Sequence, residues 1–152
     1  MLKFWVLPRH GGVFFMTILN PGGNITALIK GTNRPFDERK LINDKIMAKF
    51  PKVEQVGFID YSPTRLEMAG GEFCGNALRC AAFLTLKGKP GKTDVSVSGT
   101  KQILKSRIDK QGMVWAQMPI FKNRDCVREA GDYLHCDSRR YHPNNFLSAF
   151  KN

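Results

Sequence analysis

The sequence predicts an α+β domain whose sheet is mostly antiparallel. Short apolar runs recur between clusters of Gly, Pro, Asn and Ser, the signature of strands and turns. Two longer segments carry apolar residues at helical rather than strand spacing. Three strand-like runs then follow directly on one another between residues 94 and 118. At 152 residues the chain is long enough for one domain with a proper core and short for two.

Residues 1–12 read as an extra N-terminal segment. They hold Lys3, Pro8, Arg9 and His10, and lack the apolar stretch and small-residue cleavage site of a secretory signal. Residues 13–19 are a run of Phe, Ile and Val that stops at Asn20-Pro21-Gly22-Gly23-Asn24, a strand followed by a tight turn. Residues 25–30 resume as a strand and stop at Gly31. From Phe36 the period becomes helical, placing Phe36, Leu41, Ile42, Ile46, Met47 and Phe50 on one broad face. Asp37 and Glu38 occupy the first turn, where the helix dipole favours acids, and Pro51 ends the helix. Residues 53–61 and 64–68 form a hairpin across Ser62-Pro63. A second helix starts near Cys74 and runs through Ala77, Leu78, Ala81, Ala82 and Leu84 to Gly88. Strands at 94–97, 102–108 and 113–118 follow, with turns at Gly99 and Gln111-Gly112. The domain proper is thus residues 13–121. Residues 122–152 show neither period and read as an irregular tail.

A net charge of +11 raises the question of an anionic partner. The Lys and Arg are spread along the whole chain, however, and Lys87, Lys89 and Lys92 sit among Gly88, Pro90 and Gly91 as a solvated turn. No nucleic-acid-binding motif accompanies the charge, so nucleic acid is set aside as a partner. The longest apolar stretches are too short to span a membrane. Without a secretory signal, Cys74, Cys80, Cys126 and Cys136 are expected as free thiols in a reducing, cytoplasmic setting. None of them forms the Cys-x-x-Cys pair of a zinc site, and no metal is expected.

The chemistry is concentrated in residues 68–80. A strand ends, Gly70-Gly71 makes a turn, and a helix opens immediately after Cys74. The first N–H groups of a helix have no intrahelical partner and can hold a carboxylate. The same partial positive charge favours thiolate over thiol at Cys74. Gly75 leaves room for a ligand to approach the backbone. The alternative is that Cys74 simply fills core space, as free cysteines do. Cys80, inside a helix rich in Ala and Leu, reads as core packing.

The stretch Phe73-Cys74-Gly75-Asn76-Ala77-Leu78-Arg79-Cys80 resembles the first catalytic cysteine motif of the diaminopimelate epimerase superfamily of cofactor-independent racemases and epimerases. Asn20-Pro21-Gly22-Gly23-Asn24 is similar to that family's first turn, and Glu54-Gln55-Val56-Gly57-Phe58-Ile59 to its segment with an acidic residue followed by a substrate-contacting Gln. The last segment, with Glu72-Phe73-Cys74-Gly75-Asn76-Ala77, is most similar to the histidine racemases of metallophore biosynthesis. The resemblance covers about residues 13–120 in three ordered motifs. It implies one half of the family's fold, a curved, mostly antiparallel sheet wrapped around the helix that starts at Cys74, with the residue 36–50 helix outside. It also implies a cofactor-free reaction on a free amino acid. Inverting a Cα centre needs two opposed groups, one taking a proton from one face and one returning a proton to the other. Cys74 would be one of them, with the N–H groups of Gly75 and Asn76 on the substrate carboxylate. The side chains of Asn24, Gln55 and Asn76 would contact substrate. Glu54 stays open between a contact to a basic group and an ordinary solvated carboxylate.

The match breaks in one place. The family has two similar domains, each giving one cysteine, and here no second Cys-Gly helix start exists. Cys126 precedes Val127 and Cys136 precedes Asp137, so neither fits that role. The chain alone is expected to lack half a site and to be inactive, with a frameshift near residues 121–125 as the explanation. Leu134 to His142 can be back-translated so that reading one base later yields Tyr-Ile-Val-Ile-Leu-Gly-Gly-Ile, an apolar strand and a turn. An independently evolved tail and a sequencing artefact are the alternatives. Three functional classes stay in play: a racemase or epimerase half, a non-catalytic amino-acid-binding remnant, and an isomerase of the phenazine-biosynthesis type. The last is disfavoured because those enzymes do not use the cysteine pair. The partners expected are a small-molecule amino acid and, through an exposed apolar mouth around Cys74, Asn24 and Gln55, a second copy of the chain.

Overall fold

The computed structural model describes residues 3–9, 12–119, 127–130, 133–137 and 146–150, with side chains described between residues 15 and 119. It divides into two units, Met1–Met118 and Pro119–Asn152. In the first, eight strands form one mixed sheet in which each strand pairs with the next in the chain. They are β1 (Lys3–Arg9), β2 (Gly12–Leu19), β3 (Thr26–Lys30), β4 (Gln55–Tyr61), β5 (Thr64–Met68), β6 (Gly91–Val97), β7 (Ile103–Ile108) and β8 (Val114–Ala116). Residues 1–12, set apart in the sequence, thus include a strand that pairs antiparallel along β2.

Five of the seven pairings are antiparallel, and β3–β4 and β5–β6 are parallel. The exceptions have one cause. Parallel neighbours need a long crossover, and the two helices, α1 (Phe36–Lys49) and α2 (Gly75–Thr85), lie in those two connections. The sheet is mostly antiparallel, as expected, and the two parallel pairings make it mixed.

Helix α2 touches every strand from β3 to β8. Six strands side by side span about 24 Å if flat, while a helix is about 10 Å across. Only a sheet curled around the helix can make all six contacts. The buried faces follow from this arrangement. Leu28, Ile59, Leu66, Met68, Val95, Val97 and Leu104 close over Ala77, Leu78 and Ala81 of α2. On the other face Met16, Ala27, Ile29, Val56 and Phe58 meet Ile46 of α1. Successive strand residues point to opposite faces, so β3 and β4, covered on both sides, are apolar almost throughout. Gly57 is the compromise within β4: a Cβ there would lie 3.0 Å from Leu28 and 3.1 Å from the Met68 sulfur.

The broad apolar face expected for α1 is narrower than the sequence reading. Ile46 is buried and Ile42 and Phe50 pack beside it, while Phe36, Leu41 and Met47 are exposed. At about 100° per residue, 42, 46 and 50 form one stripe and Leu41 falls roughly 100° away from it. The Phe36 ring instead carries the Arg39 guanidinium at 5.8 Å. Among the described residues, no helix is long and apolar enough to cross a membrane.

In the second unit, β9 (Val127–Ala130), β10 (Tyr133–Asp137) and β11 (Phe146–Phe150) make an antiparallel sheet ordered β11-β10-β9. The sequence read this region as irregular. Cys136 lies within β10, not at a helix start, and Cys126 falls outside the described residues.

Candidate active site

The site begins with the way α2 starts. The backbone of Cys74 is extended (φ −138°, ψ 114°), and its side chain takes the place of a cap, accepting from the Ala77 N–H at 3.3 Å. The first intrahelical bond runs from the Leu78 N–H to the Cys74 carbonyl at 3.0 Å. The N–H groups of Gly75 and Asn76 therefore have no intrahelical acceptor and form the open end of the helix. A Cβ at Gly75 would lie 3.2 Å from the sulfur of Met118, a tight contact that the exposed Met118 side chain would have to relieve by shifting.

A remote turn holds the loop before the helix. The Ser98 hydroxyl donates to the Glu72 carbonyl at 2.7 Å and accepts from the Met68 N–H at 2.9 Å. Gly99, at φ +77°, lies so close that a Cβ would be 2.2 Å from the Phe73 nitrogen. The Ser98-Gly99 turn thus sets where Cys74 stands.

The Cys74 thiol donates to Gln55 Oε1 at 2.9 Å. Gln55 opens β4, and the parallel partner of that residue in β3 is Thr26. The Thr26 hydroxyl, fully buried, reaches the same Gln55 oxygen at 3.4 Å and the Asn24 carbonyl at 3.3 Å. Asn24 closes the turn that begins at Asn20, whose Oδ1 accepts from the Gly23 N–H at 2.6 Å. Arg79, one turn along α2, ties this turn to the helix by donating to the Pro21 carbonyl at 3.4 Å and to Asn76 Oδ1. Cys74, Gly75, Asn76, Gln55 and Asn24 are thereby joined through one set of contacts. Glu54 is exposed, and its backbone N–H donates to the Ile25 carbonyl at 2.8 Å.

The two cysteines of α2 differ sharply. Cys80 is 2% exposed, and burial pushes its thiol up to about 12, so it stays protonated. Cys74 is nearly as buried, at 8% exposure, but its sulfur sits between a donor and an acceptor. The sulfur accepts a hydrogen bond from the Ala77 N–H, and the thiol donates one to Gln55 Oε1. This one sulfur thus has both a hydrogen-bond donor and a hydrogen-bond acceptor beside it, the surroundings a proton-transferring group can use.

A cleft of about 460 Å³ adjoins the turn, lined by Asn20, Pro21, Arg79, Cys80, Phe83 and Met113 among others. A larger one of about 640 Å³ lies on β6–β8, with Lys92, Lys105, Arg107 and Trp115. Cys74 lines neither, so the chemistry is better located by the thiol and its partners than by cavity size. Sequence reasoning missed Thr26, Ser98 and Arg79. Thr26 had a signal, a polar residue in a strand otherwise apolar at every covered position. The signal for Ser98 is its place in Val95-Ser96-Val97-Ser98-Gly99, a segment with a counterpart in the superfamily the chain resembles.

Residues 13–129 match the family described as the histidine racemase CntK N-terminal domain. A histidine racemase of Fusobacterium nucleatum subsp. nucleatum is 35% identical over 100 residues, covering 62% of this chain and 37% of that protein. One from a second strain of the same subspecies is 43% identical over 67 residues, 43% of this chain and 25% of that protein. A Staphylococcus aureus histidine racemase is 30% identical over 109 residues, covering 66% of this chain and 40% of that protein. In these matches the chain spans two fifths or less of the length of its curated relatives. It belongs to the histidine racemase N-terminal domain family.

Proposed function

We propose that this member of the histidine racemase N-terminal domain family forms one half of a two-base racemase site, with Cys74 as the acid/base group. The observation that carries this is the Cys74 sulfur between the Ala77 N–H and Gln55 Oε1, a thiol with a donor and an acceptor beside it. The N–H groups of Gly75 and Asn76 hold the substrate α-carboxylate, whose charge grows as the Cα proton leaves. Asn24, Gln55 and Asn76 contact the substrate with their side chains, and Glu54, exposed beside Gln55, meets a basic group on it. The names of the relatives point to histidine as that substrate. The fold is one half of the diaminopimelate epimerase type, supported by the helix that a curled sheet wraps. Proton removal and return by two thiols needs no cofactor.

Racemization needs a second base on the opposite face of Cα, and the sequence contains one Cys-Gly helix start. The chain alone is therefore inactive. The opposing thiol has to come from outside residues 1–152, and a second copy of this chain would bring its own Cys74 by two-fold symmetry. L-Histidine should slow alkylation of Cys74, while the dilute chain in deuterated water should put no deuterium at Cα. Failure of histidine to protect Cys74 would remove the carboxylate cradle. Exchange with inversion by a chain that sediments as a monomer would remove the need for a second surface. The single Cys-Gly start also favours a second reading, an amino-acid-binding module without turnover. Protection without exchange at every protein concentration is its outcome.

A further inference from the structure

Arg79 and Asn76 lie three residues apart on α2, a spacing that makes their side chains neighbours on one face of the helix. Arg79 Nη2 donates to Asn76 Oδ1 and, at 3.4 Å, to the Pro21 carbonyl. A guanidinium carries donors and no acceptor, so the end of the Asn76 amide that faces it has to be the oxygen. Turned over, the amide would set its NH₂ against an N–H. The Pro21 carbonyl accepts from the same nitrogen and keeps the guanidinium in place. Nδ2 is the end of the amide left over, and it has no partner among the described residues although Asn76 is half-buried. Beside it stand the N–H groups of Gly75 and Asn76, which have no intrahelical acceptor. We infer that Arg79 is a positioning residue that sets specificity: it turns the Asn76 amide so that Nδ2 joins those N–H groups as a third donor, and so selects a free carboxylate over a carboxamide.

This rests on the reading that the start of α2 holds the substrate α-carboxylate, and it names what that cradle excludes. An ionised carboxylate accepts at both oxygens. A carboxamide accepts at one and would bring its NH₂ against one of the three donors. Groups left mispaired in this way discriminate between ligands far more than a small difference in apolar contact does. Neither Thr26 nor Gln55 can impose such a polarity on a neighbour, because each carries a donor and an acceptor. Arg79 can, because its contact works in one direction only.

The test compares the full chain with Arg79→Met, with Asn76→Ala and with both together. Cys74 alkylation is followed by mass spectrometry at one fixed pH against rising L-histidine or L-histidinamide. The ratio of the two half-protecting concentrations is the readout, and comparing it between chains cancels the weaker amine of the amide. In the parent, histidine should protect at concentrations about 10- to 100-fold below those of histidinamide, the worth of one hydrogen bond to a charged group. R79M should cut that preference about tenfold, and should cut it no further once Asn76 is already Ala. Arg79→Gln, which carries both a donor and an acceptor, frees the amide and should lower the preference as R79M does. Slow labelling of Cys80 in the same samples reports that the fold is intact. An undiminished preference in R79M and R79Q overturns the inference. So does an equal drop with and without Asn76, since the Arg79 charge would then act on the ligand directly. The ¹⁵N relaxation of the Asn76 side-chain NH₂ reads the orientation without any ligand: rigid in the parent, loosened in R79M. Equal mobility in the two overturns the inference as well. Loosening in R79M, with histidine protecting none of the chains, would defeat the carboxylate cradle while supporting the hold of Arg79 on Asn76.

Discussion

Helices α1 and α2 lie against opposite faces of β3 and β4, in successive crossovers of the same sheet, yet they are built differently. Helix α1 buries Ile46 alone, begins after Pro35 without a side-chain cap, and carries surface charge such as the Lys40–Asp44 pair at 2.8 Å. Helix α2 buries Ala77, Leu78, Cys80, Ala81 and Ala82, lacks charge in its first and last turns, and is capped by a thiol. Helix α2 as a whole is held by six strands and Cys74 at its start is buried, while Phe36 at the start of α1 is exposed. Chemistry that depends on placing a sulfur to within a fraction of an ångström belongs on the enclosed helix. The enclosed helix can also accept a weak cap, because packing rather than capping supplies its stability.

The largest effects should separate the two helices by burial. Leu78→Ala empties a fully buried site among several strands and should cost about 4 kcal/mol. Ile46→Ala, on the stripe of α1, should cost about 3 kcal/mol, and Leu41→Ala, 54% exposed, about 0.5 kcal/mol or less. Urea unfolding of the three variants checks the order. A Leu41→Ala cost as large as that of Ile46→Ala would restore the broad face that the sequence reading placed on α1.

Next comes the dependence of α2 on a distant turn, which α1 does not share. Gly99→Ala combines a positive φ with a Cβ driven into the backbone of Phe73, and should cost about 3 kcal/mol. It should also raise the alkylation rate of Cys74 relative to Cys80 by loosening the loop before the helix. Destabilisation that leaves the labelling ratio unchanged would mean that the turn supports the fold without placing the thiol.

How far all this could be read from the sequence depends on whether the controlling interaction is local. Helix α2, its start at Cys74 and the hairpin across Ser62-Pro63 were legible, because apolar period and turn residues are short-range signals. So was the buried, packing role of Cys80. The two parallel pairings were not, since register between β3 and β4 or β5 and β6 is decided across a crossover. The stripe of α1 was misjudged because six apolar residues were counted without asking which angles they occupy. Of the candidate site, the Cys74 thiol and the N–H groups of Gly75 and Asn76 follow from helix-end physics, while Asn24, Glu54, Gln55 and the Asn76 side chain came from family resemblance. Thr26 and Ser98 act through hydrogen bonds to groups 29 and 26 residues away, which no local pattern encodes.

A smaller effect distinguishes the two thiols of α2. Burial raises the Cys80 thiol from 9.0 to about 12, so between these values the unfolded chain releases a proton that the folded chain keeps. Binding more protons in the folded state means that stability falls as pH rises through this window. From pH 9 to pH 10 the loss from this group should be about 1 kcal/mol. Cys80→Ala should remove that slope, as followed by urea midpoints at pH 8, 9 and 10. Equal slopes in both proteins would show that Cys80 is not the group responsible.

The smallest effect tests the cap itself, and with it the idea that α2 gives up stability for reactivity. Sulfur is a weak acceptor, and its contact with the Ala77 N–H is long at 3.3 Å. Ser is among the best residues at this position, and its oxygen can accept from Ala77 while its hydroxyl donates to Gln55. Cys74→Ser should therefore raise stability by about 0.5 to 1 kcal/mol, the difference between a poor and a good cap. It should at the same time remove the reactive thiol and, if a second half-site is supplied, any exchange of the substrate α-proton. A matching change is absent at α1, where no side chain caps the start and Pro35→Ser would improve the helix at no chemical cost. Thermal melts of Cys74→Ser and Pro35→Ser, each with the thiol-labelling profile, check both. A Cys74→Ser chain less stable than the parent would mean that the site is shaped around sulfur by packing. The thiol would then be a well-fitted core group, and the contrast between the two helices would lie in burial alone.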